Sequence, residues 1–120
     1  MGYHVAIVDY VRRCPGSYFR ELARELQIPV GTLQYWLGRL TARGELYVLK
    51  LMQRPRYFHF SVSREEAEAV YLVREIRLSP SLAPRLAVDI KPELIKAVVE
   101  RYPCVRQDLV DAFINLFSQL

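Results

Sequence analysis

The stretch Leu22-Ala23-Arg24-Glu25-Leu26-Gln27-Ile28-Pro29-Val30-Gly31-Thr32-Leu33-Gln34-Tyr35-Trp36-Leu37-Gly38-Arg39-Leu40-Thr41-Ala42-Arg43-Gly44-Glu45-Leu46 decides the fold. Its apolar residues keep a helical period twice over. Phe19, Leu22, Ala23 and Leu26 form one stripe, and Leu33, Trp36, Leu37 and Leu40 form a second at intervals of three and four. Between them Gln27-Ile28-Pro29 makes a break, because the residue before a proline avoids the helical region and the proline can open the next helix. The second stripe stops at Arg43-Gly44, where a glycine can take up the left-handed cap. The spacing predicts helices over roughly 18–26 and 30–43 joined by a tight turn. Trp36, on the shoulder of the leucine stripe, is expected in the core.

Upstream, Val5, Ile7, Val8 and Val11 predict a first helix over residues 4–13, stopped by Cys14-Pro15-Gly16. Ser17 then stands where a hydroxyl can cap the second helix. Downstream of Gly44 the period changes. Residues 45–52 and 56–62 are rich in strand formers and read as a hairpin with Gln53-Arg54-Pro55 at its tip. The first strand is apolar on both faces, so the sheet needs cover from the C-terminal half or from a second chain. Further on, Ser63 precedes a helix from Arg64 to about Leu78. Residues 79–86, with Pro80 and Pro84, read as a linker, followed by a helix from Pro92 to Tyr102 and a last helix from about Arg106. This last helix carries Leu109, Val110, Phe113, Ile114, Leu116, Phe117 and Leu120, a stripe wider than one small domain needs.

At 120 residues the chain can hold one core or two very small units, and a multi-domain enzyme will not fit. No apolar run approaches the ~20 residues that cross a bilayer, and the N-terminus lacks signal-peptide character. The expectation is a soluble cytoplasmic protein with no membrane partner. Cys14 and Cys104 show neither CxxC spacing nor secretory context and are expected as reduced thiols. Nothing pairs them with His4 or His59 at metal-ligand spacing, so no metal and no cofactor is expected. No glycine-rich phosphate loop, nucleophile arrangement or carboxylate pair suggests catalysis, and Glu65, Glu66 and Glu68 read as the acidic start of a helix. Charge is uneven. Residues 1–62 hold nine basic against four acidic side chains, whereas residues 63–120 hold eight against nine, within a formal net charge of +4. Basic character confined to the first half suggests an anionic partner there, nucleic acid first.

With three helices, a glycine stop and a hairpin in that order, residues 4–62 resemble the winged helix-turn-helix regulators of archaea and bacteria. Those commonly read as Leu-Ala, a short turn, Gly-Thr, a helix with leucines at three-and-four spacing, then Gly and a strand. Trp36 departs from the family, which often has a polar residue or histidine there. The resemblance implies a mainly α fold with a small β-hairpin, followed by a C-terminal helical segment over 63–120. It also implies double-stranded DNA as partner. A helix fixed by Leu33, Leu37 and Leu40 turns Gly31, Gln34, Tyr35, Gly38 and Arg39 outward, and a major groove admits one such helix. Gln34 would read adenine, Arg39 guanine or a phosphate, and Tyr35 a phosphate or sugar. Gly31 and Gly38 would leave room for close approach, and Thr32 would sit near the helix start, where hydroxyl and backbone N–H groups meet phosphate. Ser17, Tyr18 and Arg20 match the usual backbone contacts, and Arg54 and Arg56 on the wing would reach a minor groove or phosphates.

Each position has a plainer alternative. Gln34 and Tyr35 can be ordinary solvent-facing residues, Ser17 a helix cap, and Arg24 and Arg43 surface partners of Glu21, Glu25 or Glu45. Ile7 to Pro15 also align with Ile95 to Pro103, which suggests that the C-terminal part looks like two helices of a second unit lacking a reading helix. The expectation overall is a transcriptional regulator binding DNA as a homodimer through the 109–120 stripe. That stripe could instead cover the hairpin sheet. The alternative function is a winged-helix module for a protein partner within a transcription, replication or RNA-processing assembly.

Overall fold

The structure, a computed structural model, describes residues 2–118. The chain divides into two compact units, Met1–Ser63 and Arg64–Leu120.

In the first unit, helix α1 (Tyr3–Arg13) buries Ile7 and Val11, one turn apart on a single face. They meet Leu22 of α2 (Phe19–Leu26), Leu33, Leu37 and Leu40 of α3 (Val30–Ala42), and Leu46 of strand β2 (Leu46–Leu49). The α2–α3 turn falls where the proline break placed it, with Gln27 in the left-handed region at φ 51°. Gly44 caps α3 at φ 76°, its N–H donating to Thr41 O while Glu45 N–H donates to Leu40 O. That pair of bonds satisfies the last carbonyls of the helix and turns the chain into β2. Trp36 is only half-buried. It packs at the core's margin with its ring 4.9 Å from His4.

The expected hairpin belongs to a three-stranded antiparallel sheet, because Ser17–Tyr18 form a strand, β1, beside β3 (Arg56–His59) in the order β1-β3-β2. Register pairs Tyr18 with Arg56 and Leu49 with the same Arg56 from the other side. Both strands of the hairpin are shorter than the pattern suggested, and their connection spans residues 50–55. Tyr47 stacks on Phe58 at 5.6 Å, and its hydroxyl donates to Val62 O at 2.8 Å, closing the end of the sheet.

In the second unit α4 (Arg64–Ile76) is buried at every position from Ala69 to Ile76, on all sides rather than along one stripe. Helices α6 (Pro92–Arg101) and α7 (Pro103–Ser118) pack against it. Polar clamps fix both contacts. Arg74 Nε lies 2.7 Å from Asp108 Oδ2 with both side chains buried, and Arg77 reaches the other oxygen at 3.4 Å. Glu66 Oε1 accepts from Arg101 at 2.9 Å and from the Tyr102 hydroxyl at 2.8 Å. Burial, with the Glu66 bond, raises the Tyr102 pKa.

Three expectations need correction here. The linker over 79–86 is ordered, with a 3₁₀ turn at Pro80–Leu82 and helix α5 at Ala83–Asp89. Its prolines occupy first-turn positions that tolerate them, and Leu82, Leu86 and Ile90 recur every fourth residue to give it a buried face. Helix α7 starts at Pro103 rather than near Arg106, for the same reason. Neither Cys14 nor Cys104 is a free thiol, each being disulfide-bonded. Disulfide formation follows spatial geometry, on which sequence spacing is silent.

Two outcomes follow from these buried polar groups. Asp108→Ala removes the carboxylate that faces two guanidinium groups and is expected to cost about 3–5 kcal/mol in urea unfolding. His59 has its pKa lowered by burial, then by the Arg12 charge, against an opposing effect of Glu45. Its Nδ1 accepts the Ser61 N–H at 3.3 Å, which requires the neutral ring. The stabilisation is therefore full above the unfolded pKa of about 6.5 and is lost as pH falls through the lower folded value. Unfolding midpoints of the native chain should drop between pH 7 and 5, and those of His59→Gln should drop less.

Candidate nucleic-acid interface

Because Leu33, Leu37 and Leu40 face the core, the opposite side of α3 turns to solvent. Val30, Gly31, Gln34, Tyr35, Gly38 and Arg39 are all exposed, Tyr35 at 55%. A Cβ added at Gly31 or Gly38 meets nothing within 4 Å, so among the described residues neither glycine makes room for a packed neighbour. Thr32 is half-buried on the flank of the same helix. Arg39 is held rather than loose. Its guanidinium donates to the Tyr35 hydroxyl at 2.9 Å and lies 5.7 Å from the Tyr35 ring and 6.0 Å from the Trp36 ring.

Beside this helix runs a groove of about 500 Å³ lined by Phe19, Val30, Gln34, Leu37, Gly38, Thr41, Val48 and Tyr57. A second concavity, about 380 Å³, lies between the start of α2 and the hairpin loop and is lined by Tyr18, Phe19, Arg20, Gln53, Arg54, Pro55 and Tyr57. Three residues expected at a phosphate backbone thus meet in one place. Arg20 is exposed there, and Arg54 is half-buried with its guanidinium 4.8 Å from the Tyr18 ring. Arg24 stands close by, its pKa raised by hydrogen bonds to Tyr18 and then Glu25. Burial raises that of Tyr57. Gln53, Tyr57, Val30 and Val48 also line these two surfaces. Val30 alone left a readable signal, one helical turn before Gln34.

Two of the expected contact residues are not on this surface. Ser17 is fully buried in β1, its hydroxyl donating to Cys14 O at 2.6 Å, and it does not cap α2, whose N-cap is Tyr18. Arg56 is 1% exposed and donates to Gly16 O at 2.6 Å with its guanidinium 5.3 Å from the Tyr18 ring. Pairing between β1 and β3 sets Ser17 opposite Tyr57 and Arg56 opposite Tyr18. On α7, Val110, Phe113, Ile114, Leu116 and Phe117 are exposed and Leu109 is half-buried; Leu120 lies outside the described residues. Among the described residues no three His, Cys, Asp or Glu side chains converge on a metal-sized site, and no helix is long and apolar enough to cross a membrane.

A family model described as an N-terminal HTH domain matches residues 3–70, more than half of the chain. Neither the curated proteins nor the solved structures show a match.

The placement of the arginines has a measurable consequence. Arg56→Met is expected to lower stability by about 2–3 kcal/mol, since it strips a charged donor from a buried carbonyl. Arg20→Met should stay within about 0.5 kcal/mol, as surface changes do. Urea unfolding of the two variants checks the contrast.

Proposed function

Since the chain belongs to the N-terminal HTH domain family, we propose that it is a sequence-specific regulator of transcription that binds double-stranded DNA as a homodimer. The observation that carries this reading is the open outer face of α3, with a polar amide and a held guanidinium at its centre. Gln34 reads adenine and Arg39 guanine, while Gly31 and Gly38 let the helix approach the base edges. Tyr18, Arg20, Arg54 and the Thr32 hydroxyl take the phosphates, so residues 1–62 form the DNA-binding domain. Binding rests on no catalysis and no cofactor.

Residues 63–120 supply dimerisation. One short helix discriminates few base pairs, and two copies a helical turn apart read both halves of a palindrome. The exposed aromatic and aliphatic side chains of α7 supply an apolar surface suited to a self-complementary contact. We place the protein in the cytoplasm with its DNA. Disulfide-bonded cysteines fit that compartment in hyperthermophilic archaea and bacteria, whose intracellular proteins carry disulfides. The same α7 surface favours the one competing reading, a module that docks a protein partner without reading sequence.

Selection of bound duplexes from a random pool, combined with the mass of the complex, separates the two. An enriched palindrome carrying two chains supports the regulator, and the absence of any enrichment favours the docking module. Gln34→Ala should change the enriched bases. Arg54→Gln should weaken binding to all duplexes alike and reduce the slope of log K against log salt by about 1. Ile114→Glu with Phe117→Glu should halve the mass of the free protein.

A further inference from the structure

Val30 opens α3 and is 61% exposed, an apolar side chain that the core does not use. As a β-branched residue it does not favour the helix either. It lies one turn before Gln34 on the same face, and the two line the same groove. Gly31 and Gly38 flank the pair with open space, and the unit around it carries the chain's positive excess, which draws a polyanion to this face. An amide beside two methyl groups matches what an A·T step offers in a major groove. Adenine presents N6 and N7 to the amide, and thymine presents its C5-methyl group to an apolar contact. We propose that Val30 is a specificity-determining residue that packs against a thymine methyl next to the adenine read by Gln34. The half-site centre is then A·T-rich, and its thymine is recognised by shape as well as by pairing. This inference rests on the DNA-reading proposed above.

Uracil in place of thymine keeps the base pair and deletes only the methyl group, which makes it the direct probe. Each thymine of an enriched duplex is replaced in turn, and binding is followed by fluorescence anisotropy with the full chain. One replacement per half-site should weaken the native protein about threefold to fivefold, the worth of one buried methyl. Val30→Ala should bind the thymine duplex about as weakly as the native chain binds the uracil duplex, and should be indifferent to the exchange. Val30→Thr, which keeps one methyl, should lie between them. The idea is overturned if no uracil position matters to the native chain, or if Val30→Ala still pays the full penalty. Should no duplex be enriched in the first place, the DNA-reading itself falls and takes this assignment with it. Enrichment together with indifference to uracil sinks the Val30 contact alone.

Discussion

The rotation of α3 about its own axis is the constraint on which the first unit depends. Leu33, Leu37 and Leu40 are locked against Ile7, Val11, Leu22 and Leu46, and a helix so pinned has only one face left to give away. Interiors are close-packed, so a turn of even one residue position would expose a leucine and bury Gln34 or Arg39. The exposed amide and guanidinium are therefore consequences of core packing as much as of their own chemistry. The Gly44 cap completes the arrangement, because it ends α3 where Leu46 can enter the same core from the strand side.

Arginine takes three different roles within this unit, and the difference is geometric. Arg20 stands in solvent, Arg39 is held between Tyr35 and Trp36, and Arg56 is buried and donates to the Gly16 carbonyl. Arg54 and Arg56, two residues apart, both approach the Tyr18 ring, at 4.8 and 5.3 Å. One of them lines an open concavity, whereas the other is buried. Formal charge counts the two as equal. A buried guanidinium hydrogen-bonded to backbone supports the local shape of the sheet, whereas its neighbour lines the concavity beside α2.

The helices of the first unit were legible because each rests on several apolar residues at a fixed period, bounded by Pro29 and Gly44. The outward positions of Gln34, Tyr35 and Arg39 followed from that same period. What escaped was β1, two residues long and below the length at which alternation can be seen. That omission misplaced Ser17, which lies in β1, and Arg56, which pairs with Tyr18 of the same strand. In the second unit, prolines at 80 and 84 suggested a linker because a proline is read as a breaker, although at the first turn it costs a helix nothing. Leu82, Leu86 and Ile90 carried the contrary signal at four-residue spacing, but three positions are too few to outweigh two prolines.

The two glycines on the outer face of α3 bear on what that face is for. Gly38, inside α3, costs the helix about 1 kcal/mol relative to alanine through backbone entropy lost on folding, whereas Gly31 stands in the first turn, where the cost is smaller. Usually such a residue is explained by close packing, as where another helix crosses or a strand approaches. Here a side-chain carbon at Gly31 or Gly38 would meet nothing within 4 Å among the described residues beyond its own stretch of helix, and alanine would serve the helix better at Gly38. Among the described residues, no packed neighbour accounts for either glycine. A thinned helix face between a polar amide and a held guanidinium suits the close approach to base edges proposed for this unit.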